Sequence, residues 1–358
     1  MKSLSGTRLT YLATDTQTDA ECARIERLDG NTYGLTNCTS DLSISGVTYV
    51  SSAGYTPTAV TSKSDLQPGT VDIEGILQVL GVDRTELLEG LFDGARVYVF
   101  LTDYLNPVVD EQPLMAGEWG KVELSEEGNF VTEFRMLAEY LQQPIGRTHT
   151  AACEATLGDG DCNVPLSVSQ WADSTAYTAD TTDASVRSII EPSTQNGFWY
   201  ECTTSGTSSS DSPTTEPTWP TTLGDTVTDG TVVWTAIYPY AQSGTVSSVT
   251  SNRVFEDDSL QQADGWWDYG KVTWVTGNNA GLSMEVRTFA VSGSPDAGLI
   301  TLFLPMIQDI QIGDTYTITV GCRKRFSTDC VSKFGNSDNF RGFPHIPTQD
   351  TAGKFGGQ

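Results

Sequence analysis

The sequence predicts a mainly β protein with more than one domain. Its 358 residues exceed the length of a typical domain, about 100–200 residues. Short runs of β-branched and aromatic residues recur between Gly, Asn and Asp turns along most of the chain, a pattern typical of strands. A hydrophobic share of 38%, with 34 Gly and 15 Pro, indicates a folded chain rather than a disordered or collagen-like one.

Residues 1–147 are predicted to form β-rich N-terminal domains. Their strand-like runs are CARIERL, TYGLT, LSISGVTYV and ARVYVFLTDY. One helix is expected over residues 83–92, because Asp83 and Glu86 have the spacing of a capping box, three leucines supply an apolar face, and Gly94 can end the helix. The run GKVELSEEGNFVTEFRM predicts a hairpin with its turn at EEGN, and a short helix, LAEYLQQ, stops before a proline.

Residues 165–240 differ in composition from the rest of the chain. Ser, Thr, Pro and Asp dominate, Lys is missing, and four of the eight tryptophans fall here. A low-complexity linker would lack these aromatic residues, so we expect a small inserted β module with a long Ser/Thr loop, SGTSSSDSPTTEP. Residues 241–358 return to strand periodicity in KVTWVTG, SMEVRTFAV and IGDTYTITVGC, and are predicted to form a C-terminal β domain.

The chain is strongly acidic. Twenty Lys and Arg against 46 Asp and Glu give a formal net charge of −26. Such a surface repels phosphate backbones and anionic lipids, which disfavours non-specific binding to nucleic acids and membranes. No apolar run approaches the roughly 20 residues of a membrane span, and the N-terminus lacks the apolar core of a secretory signal. We expect a chain without integral membrane association that stays inside the cell until something else carries it out.

Four of the seven cysteines form two close pairs. Cys153 and Cys162 lie within residues 148–164, and Cys322 and Cys330 lie in the C-terminal domain. An odd number of cysteines without a secretory signal argues against a disulfide scaffold. Each pair can supply two sulfurs to one four-thiolate site, and the three consecutive basic residues after Cys322 favour thiolates electrostatically. From spacing alone, zinc, an iron–sulfur cluster and buried free thiols all stay open.

The sequence contains no motif for catalysis. Two histidines, His149 and His345, leave little material for Ser-His-Asp or Cys-His chemistry, and G-x-S-x-G, H-E-x-x-H and Walker A motifs are missing. The adjacent acids 126–127 and 257–258 alternate faces in a strand and are expected in solvated turns. The three remaining cysteines are expected to be structural: Cys22, Cys38 and Cys202.

The C-terminal string GCRKRFSTDCVSKFGNSDNFRGFPHIP resembles the signature of the tail-tip (baseplate) hub proteins of long-tailed phages and gene transfer agents. This family is related to the lambda-type minor tail protein L. The similarity continues in DGWWDYGKVTWVTGNNAGLSMEVRTF, ISGVTYVSSAGY, LFDGARVYVFLTDY and AEYLQQPIGRTHTAACEATLGDGDC. It spans nearly the whole chain outside residues 165–240, and it implies a multi-domain β-barrel or β-sandwich hub with a small inserted β module and a cysteine-cluster C-terminal domain.

The resemblance implies a [4Fe–4S] cluster, and so favours iron–sulfur over zinc. The matching ligand positions are Cys153, Cys162, Cys322 and Cys330. The family often has an acidic residue after the Gly-Cys and a Thr-Cys near the second position, whereas here Arg323 and Asp329 stand beside the two C-terminal cysteines. The ligand set is intact, but the charge around the cluster differs. The implied role is structural, since a cluster would join two segments that are distant in sequence.

The resemblance also implies a non-enzymatic virion protein at the tail tip, assembled in the cytoplasm of a bacterial host. Its implied form is a homotrimer that joins the tail tube, through the distal tail protein, to receptor-binding or tail-fibre proteins. A tape measure protein, a tail peptidase and a host surface glycan are further implied contacts, and DNA only passes through the lumen. The alternatives are a cell-wall-degrading tail enzyme, peptidase or glycosidase, and a redox protein.

The inserted segment resembles the small carbohydrate-binding-like modules of phage tail proteins, through WADSTAYTADT, NGFWYECTTSGTS, EPTWP and DGTVVWTA. Aromatic faces stack on sugar rings. The candidate glycan-binding residues are Trp199, Tyr200, Trp219 and Trp234. A module this small also needs most of its aromatic residues for its core, and it could equally be a spacer or a contact for a neighbouring tail protein.

Overall fold

The computed structural model describes residues 4–51, 56–57, 70–76, 83–124, 129–136, 146, 149–210, 216–292 and 297–345. The chain forms two compact units, Met1–Gly146 and Arg147–Gln358. Strands dominate both units, which confirms the predicted mainly β class. The predicted four-part division at residues 147, 164 and 240 stays a prediction. None of the described helices has the length and apolar character of a membrane span.

The first unit is built on one sheet. Its strands are β1 (Asp19–Glu26), β2 (Thr32–Thr36), β3 (Leu42–Ile44), β4 (Val47–Ser51), β5 (Thr56–Pro57), β6 (Thr70–Ile76), β7 (Arg96–Asp103), β8 (Gln112–Leu124) and β9 (Asn129–Met136), and its helices are α1 (Gly6–Leu12) and α2 (Arg84–Leu88). Within the described residues the nine strands pair in the order β3-β4-β2-β1-β7-β8-β9-β6-β5. The β2–β4 pair is parallel and the other neighbours are antiparallel.

Strand β1 lies inside this sheet and is buried on both faces. Ala23 and Ile25 join one cluster of buried side chains. Ala20 and Cys22, whose side chains alternate with them, join a second cluster on the other face. The hairpin expected from the sequence is confirmed as β8 and β9, while residues 125–128 of its turn and the expected helix LAEYLQQ lie outside the described residues.

Helix α2 begins where the sequence predicts but is shorter than residues 83–92. Asp83 is the N-cap and accepts a hydrogen bond from the backbone N–H of Thr85 at 3.2 Å. The expected capping box does not form, because the Glu86 carboxylate binds Arg27 at 3.1 Å instead. The chain leaves the helix at Gly90, whose φ of +72° suits glycine.

The second unit contains fourteen described strands in three sheets. They are β10 (Ser169–Gln170), β11 (Ala176–Tyr177), β12 (Ile189–Glu191), β13 (Trp199–Thr204), β14 (Gly206–Thr207), β15 (Thr226–Asp229), β16 (Val232–Ile237), β17 (Ala241–Thr245), β18 (Ser248–Ser251), β19 (Val254–Asp257), β20 (Lys271–Trp274), β21 (Ser283–Ser292), β22 (Ala297–Leu302) and β23 (Thr315–Thr319). The strand orders are β10-β12-β13-β16-β15, β11-β14 and β17-β23-β20-β21-β22-β19-β18. A π-helix, Phe326–Val331, and a 3₁₀ helix, Ser337–Asn339, follow the last strand.

The five-stranded sheet of residues 165–240 has apolar contacts on both faces. Tyr200 and Cys202 of β13 point into a small core that includes Trp234. Trp199, on the opposite face of the same strand, joins the large core of the seven-stranded sheet with Tyr240. The inserted segment is therefore packed into the second unit rather than attached to it by a linker alone.

Asp257 corrects an expectation from the sequence. Of the acids 257–258, expected in solvated turns, Asp257 is only 2% exposed. Its Oδ2 accepts hydrogen bonds from the Tyr316 hydroxyl and the Thr245 backbone N–H, both at 2.7 Å, and its Oδ1 accepts two from Ser259. Burial and the neighbouring carboxylate hold the pKa of Tyr316 well above its usual range. The carboxylate thus joins strands β17, β19 and β23.

We expect Asp257→Ala to lower the free energy of unfolding of the second unit by about 2–4 kcal/mol, because it leaves buried donors without an acceptor. Asp258→Ala is the matched control, since Asp258 is exposed, and should cost less than about 1 kcal/mol. Differential scanning calorimetry of the full chain compares the two variants. Equal shifts in Tm would contradict this account of Asp257.

Candidate functional site

The structure brings the two cysteine pairs together. Cys153, Cys162, Cys322 and Cys330 line one pocket in the second unit, although the pairs are about 160 residues apart in sequence. The backbone also joins the two segments, because the Cys153 N–H donates to the carbonyl of Lys324 at 2.9 Å. No disulfide forms, and all four thiols are free.

The first segment is folded by the carboxylate of Asp159. Its oxygens accept hydrogen bonds from the backbone N–H groups of Thr156 at 2.6 Å, Asp161 at 3.0 Å and Cys162 at 2.8 Å. The N–H groups of Thr156 and Cys162 are the main causes that lower the pKa of Asp159. Gly158 takes a φ of +83° within the same turn. The turn formed by the GDGD run thus directs Cys162 into the pocket.

The second segment leaves β23 and turns back through the π-helix. Its Asp329 is 2% exposed and binds the Arg323 guanidinium at 3.3 Å and the Arg325 backbone N–H at 3.3 Å. Cys330 follows directly and its side chain is buried. The departures from the family pattern, Arg323 and Asp329, therefore pair with each other beside the pocket.

Asn336 connects the two segments, although no pattern in the sequence points to this residue. It is fully buried. Its Nδ2 donates to the carbonyl of Cys162 at 2.5 Å, its Oδ1 accepts from the Ala184 N–H at 3.0 Å, and its own carbonyl accepts from the Cys330 thiol at 2.8 Å. Asn339 adds a bond of 2.8 Å to the Asn336 Oδ1. Through its side chain and its backbone, this one residue reaches a cysteine of each pair, a role that no spacing rule indicates.

Backbone N–H groups point at two of the four sulfurs in the pocket. The backbone N–H groups of Lys324 and Arg341 each lie 3.4 Å from a sulfur, those of Cys322 and Cys153 respectively. Burial raises the pKa of Cys322, and burial followed by the charges of the neighbouring thiolates raises the pKa of Cys330 to about 12. Holding these two sulfurs as thiolates would therefore require a positive centre beside them.

The metal-ligating side chains that line the pocket are the four cysteine thiols. In the described part of the chain, no three Cys, His, Asp or Glu side chains are arranged to hold one metal ion. Neither histidine lines the pocket, since His149 stacks on Phe343 at 4.4 Å between ring centroids and His345 lies edge-on to Phe326 at 6.2 Å.

The candidate glycan-binding aromatics are mainly core residues. Trp199, Tyr200 and Trp234 are buried, and their rings are covered by other side chains of the second unit. Trp219 is half-buried, with its ring 4.3 Å from that of Tyr200. Packing accounts for the three buried rings, and only Trp219 keeps an exposed edge.

The three other cysteines lie outside the pocket. Cys22 is buried in the first unit, and burial raises its pKa to about 11. Cys202 is buried in the small core of the inserted segment, and Cys38 is half-buried beside Thr36. Their positions agree with the structural role expected for them.

Comparisons with known proteins agree with the family resemblance. Residues 6–165 match the family model described as baseplate hub protein, N-terminal attachment domain, and residues 265–350 match the one described as phage conserved hypothetical protein BR0599. Among solved structures, a chain of the virion of a native gene transfer agent particle is similar, with a TM-score of 0.67 and 25% identity over 97% of this chain and 94% of that one. A search of curated proteins gives no match. The predicted similarity to tail-tip hub proteins is confirmed.

Two glycines near the cysteines differ in the space available for a side chain. A Cβ on Gly321, next to Cys322, would lie 2.1 Å from the carbonyl oxygen of Asp268, whereas a Cβ on Gly160, between the first two cysteines, would meet nothing within 4 Å. We expect Gly321→Ala to destabilise the second unit by about 1–3 kcal/mol through overpacking, and Gly160→Ala to have little effect. Thermal unfolding followed by tryptophan fluorescence compares them. Equal Tm values would show that the close approach at Gly321 is unimportant.

Proposed function

We propose that this chain is a baseplate hub protein of a phage or gene transfer agent particle and that it forms a homotrimeric ring at the distal end of the tail. The ring links the tail tube to the receptor-binding and penetration proteins that deliver DNA. The observation that carries the proposal is the similarity of fold over 97% of the chain to a chain of a gene transfer agent virion. The role is structural rather than catalytic.

The first unit supplies the attachment to the tail. Residues 6–165 match a domain described as the attachment domain of baseplate hub proteins, and this range contains the nine-stranded sheet. A sheet with a central strand buried on both faces is rigid, which suits a part that bears load between the tube and the tip. The partner proposed for this unit is the distal tail protein.

We further propose that the four cysteines Cys153, Cys162, Cys322 and Cys330 hold a [4Fe–4S] cluster. The support is the convergence of four free thiols on one pocket, with two backbone N–H groups directed at sulfurs. Thiolates of this kind hold iron–sulfur clusters, and hydrogen bonds to the sulfurs tune them. When bound, the cluster supplies metal–thiolate cross-links between the two segments.

The chain's own residues prepare this site. Lys324 and Arg325 line the pocket and offset the negative charge of bound thiolates. Asn336 holds the two segments in register, because its Nδ2 donates to the carbonyl of Cys162 and its backbone N–H donates to the carbonyl of Cys330 at 2.7 Å. Phe334 and Phe340 close the pocket with apolar surface, which limits the access of water and oxidants.

We expect the chain, purified without oxygen, to contain about four irons and about four acid-labile sulfides. The double variant Cys322→Ser/Cys330→Ser should lose both, because serine is a poor ligand for iron in such clusters. Cys38→Ser is the matched control, a half-buried cysteine outside the pocket, and should keep the full content. Iron and sulfide assays with a visible absorption spectrum measure this. Bound zinc, or no metal together with unchanged stability of the double variant, would contradict the cluster.

The position of the chain in the particle is tested separately. Immunogold electron microscopy of intact particles, with antibodies to the chain, should label the end of the tail opposite the capsid. Particles made without the chain should attach poorly and deliver no DNA, and the tip should show three-fold symmetry. Label along the whole tail, or on the capsid, would contradict a hub at the tip. Clearing of host cell walls by the purified chain would favour the alternative of a tail enzyme.

A further inference from the structure

Exposed apolar side chains cluster beside the end of strand β22 in the second unit. The loop that follows this strand exposes Phe303, Leu304 and Ile307. The ring of Tyr269, which is also exposed, lies 6.3 Å from that of Phe303 between centroids. Met306 of the same loop is buried in the core of the seven-stranded sheet. The loop is therefore anchored, and it presents its apolar side chains on a fixed backbone.

Tyr269 joins this cluster in a strained backbone conformation. Its φ of +61° lies in the left-handed region, which a bulky residue rarely adopts. Its N–H donates to the carbonyl of Val286 at 2.9 Å, and the guanidinium carbon of Arg323 lies 5.8 Å from the centroid of its ring. Backbone strain costs stability and is concentrated at functional surfaces, which marks this exposed ring as a candidate contact.

Arg287 borders the apolar cluster at a β-bulge. On strand β21, Val286 pairs with Leu302 of β22, while the next paired residue is Thr288. Arg287 is therefore the extra residue of the bulge, and bulges re-aim side chains. It is exposed, and its guanidinium has no hydrogen bond or ion pair with any described residue.

The carboxylates near Arg287 are directed elsewhere. Glu285 faces Lys271 in the β20–β21 pair, and the Asp268 carboxylate accepts from the Phe289 N–H at 2.7 Å. Arg287 thus offers an unpaired positive charge beside exposed apolar and aromatic groups. This combination is typical of the residues that dominate protein interfaces.

The inserted segment of the same unit carries the complementary features. Acidic residues outnumber basic ones in residues 165–240, where Arg187 is the single Lys or Arg and is buried. The turn before strand β15 exposes both Leu223 and Asp225. The Asp225 carboxylate has no hydrogen bond or ion pair within the part of the chain that the structure describes. An apolar side chain beside a free negative charge matches an apolar loop beside a free positive charge.

We propose that these two surfaces meet between neighbouring copies of the chain, so that Leu304 and Arg287 of one copy contact Leu223 and Asp225 of the next. A ring with cyclic symmetry uses heterologous contacts, in which two different surfaces of each chain interact. Copies with a net charge of −26 repel one another, and an arginine that meets an acidic surface offsets part of that repulsion. The inference deepens the proposed homotrimeric ring and rests on it for the number of copies.

Sedimentation velocity of the full chain at micromolar concentration and about 0.05 M salt tests the contact. The variants are Arg287→Asp, Asp225→Arg and the two combined, which exchanges the charges across the contact, together with Leu304→Glu. The matched controls are Arg84→Asp, at an exposed arginine of the first unit, and Ile312→Glu, at a side chain that is 71% exposed at the far end of the same loop. Circular dichroism checks that each variant keeps its fold.

We expect the unchanged chain and both controls to sediment as trimers. Each single charge reversal should weaken association about tenfold or more, Leu304→Glu should give monomers, and the double variant Arg287→Asp/Asp225→Arg should restore the trimer. Trimers that persist in both single reversals, or a double variant that stays dissociated, would overturn the contact. A chain that is monomeric in solution but labels the tail tip would also overturn it, and would leave the hub role standing.

Discussion

The second unit depends on the buried residue Asn336. Its side-chain amide donates to the carbonyl of Cys162 and accepts from the Ala184 N–H, and its backbone carbonyl accepts from the thiol of Cys330, so three segments of the chain meet at one residue. A buried polar group that is fully hydrogen-bonded specifies one arrangement, because any other leaves its donors unpaired. Neutral hydrogen bonds thus hold the two cysteine pairs close together.

The electrostatics of the pocket explain why folding and cofactor binding would be coupled. Burial and the charges of the neighbouring cysteines raise the pKa of Cys330 to about 12, so this side chain favours the protonated thiol when no cation is present. A metal centre bound at the pocket would displace that proton, and its binding would add to the stability of the folded chain. The positive charges of Lys324 and Arg325 beside the pocket would lower the free energy needed to hold the sulfurs as thiolates.

Local patterns in the sequence are sufficient to predict these strands, but they are not sufficient to predict how the site is built. Runs of β-branched and aromatic residues between turn residues predict β1, β7 and the β8–β9 hairpin. Helix α2 is shorter than predicted, since the chain leaves it at Gly90 with a positive φ, and Glu86 pairs with Arg27, which follows β1. The four cysteines are grouped by their spacing as two close pairs, and only the family resemblance implies an iron–sulfur cluster. The candidate glycan-binding rings of Tyr200 and Trp234 are buried, which composition does not predict, because it does not report which face another sheet covers.

Packing joins the cysteine pocket to the inserted segment. Phe334 lines the pocket and lies edge-on to Tyr240 at 5.4 Å, and Tyr240 lies edge-on to Trp199 of strand β13 at 5.8 Å. Arg187 adds a polar link, because its guanidinium binds both the carbonyl of Phe334 and the carboxylate of Glu201 on β13. Since close-packed side chains transmit displacement, the position of the cysteine segment and the position of strand β13 depend on each other.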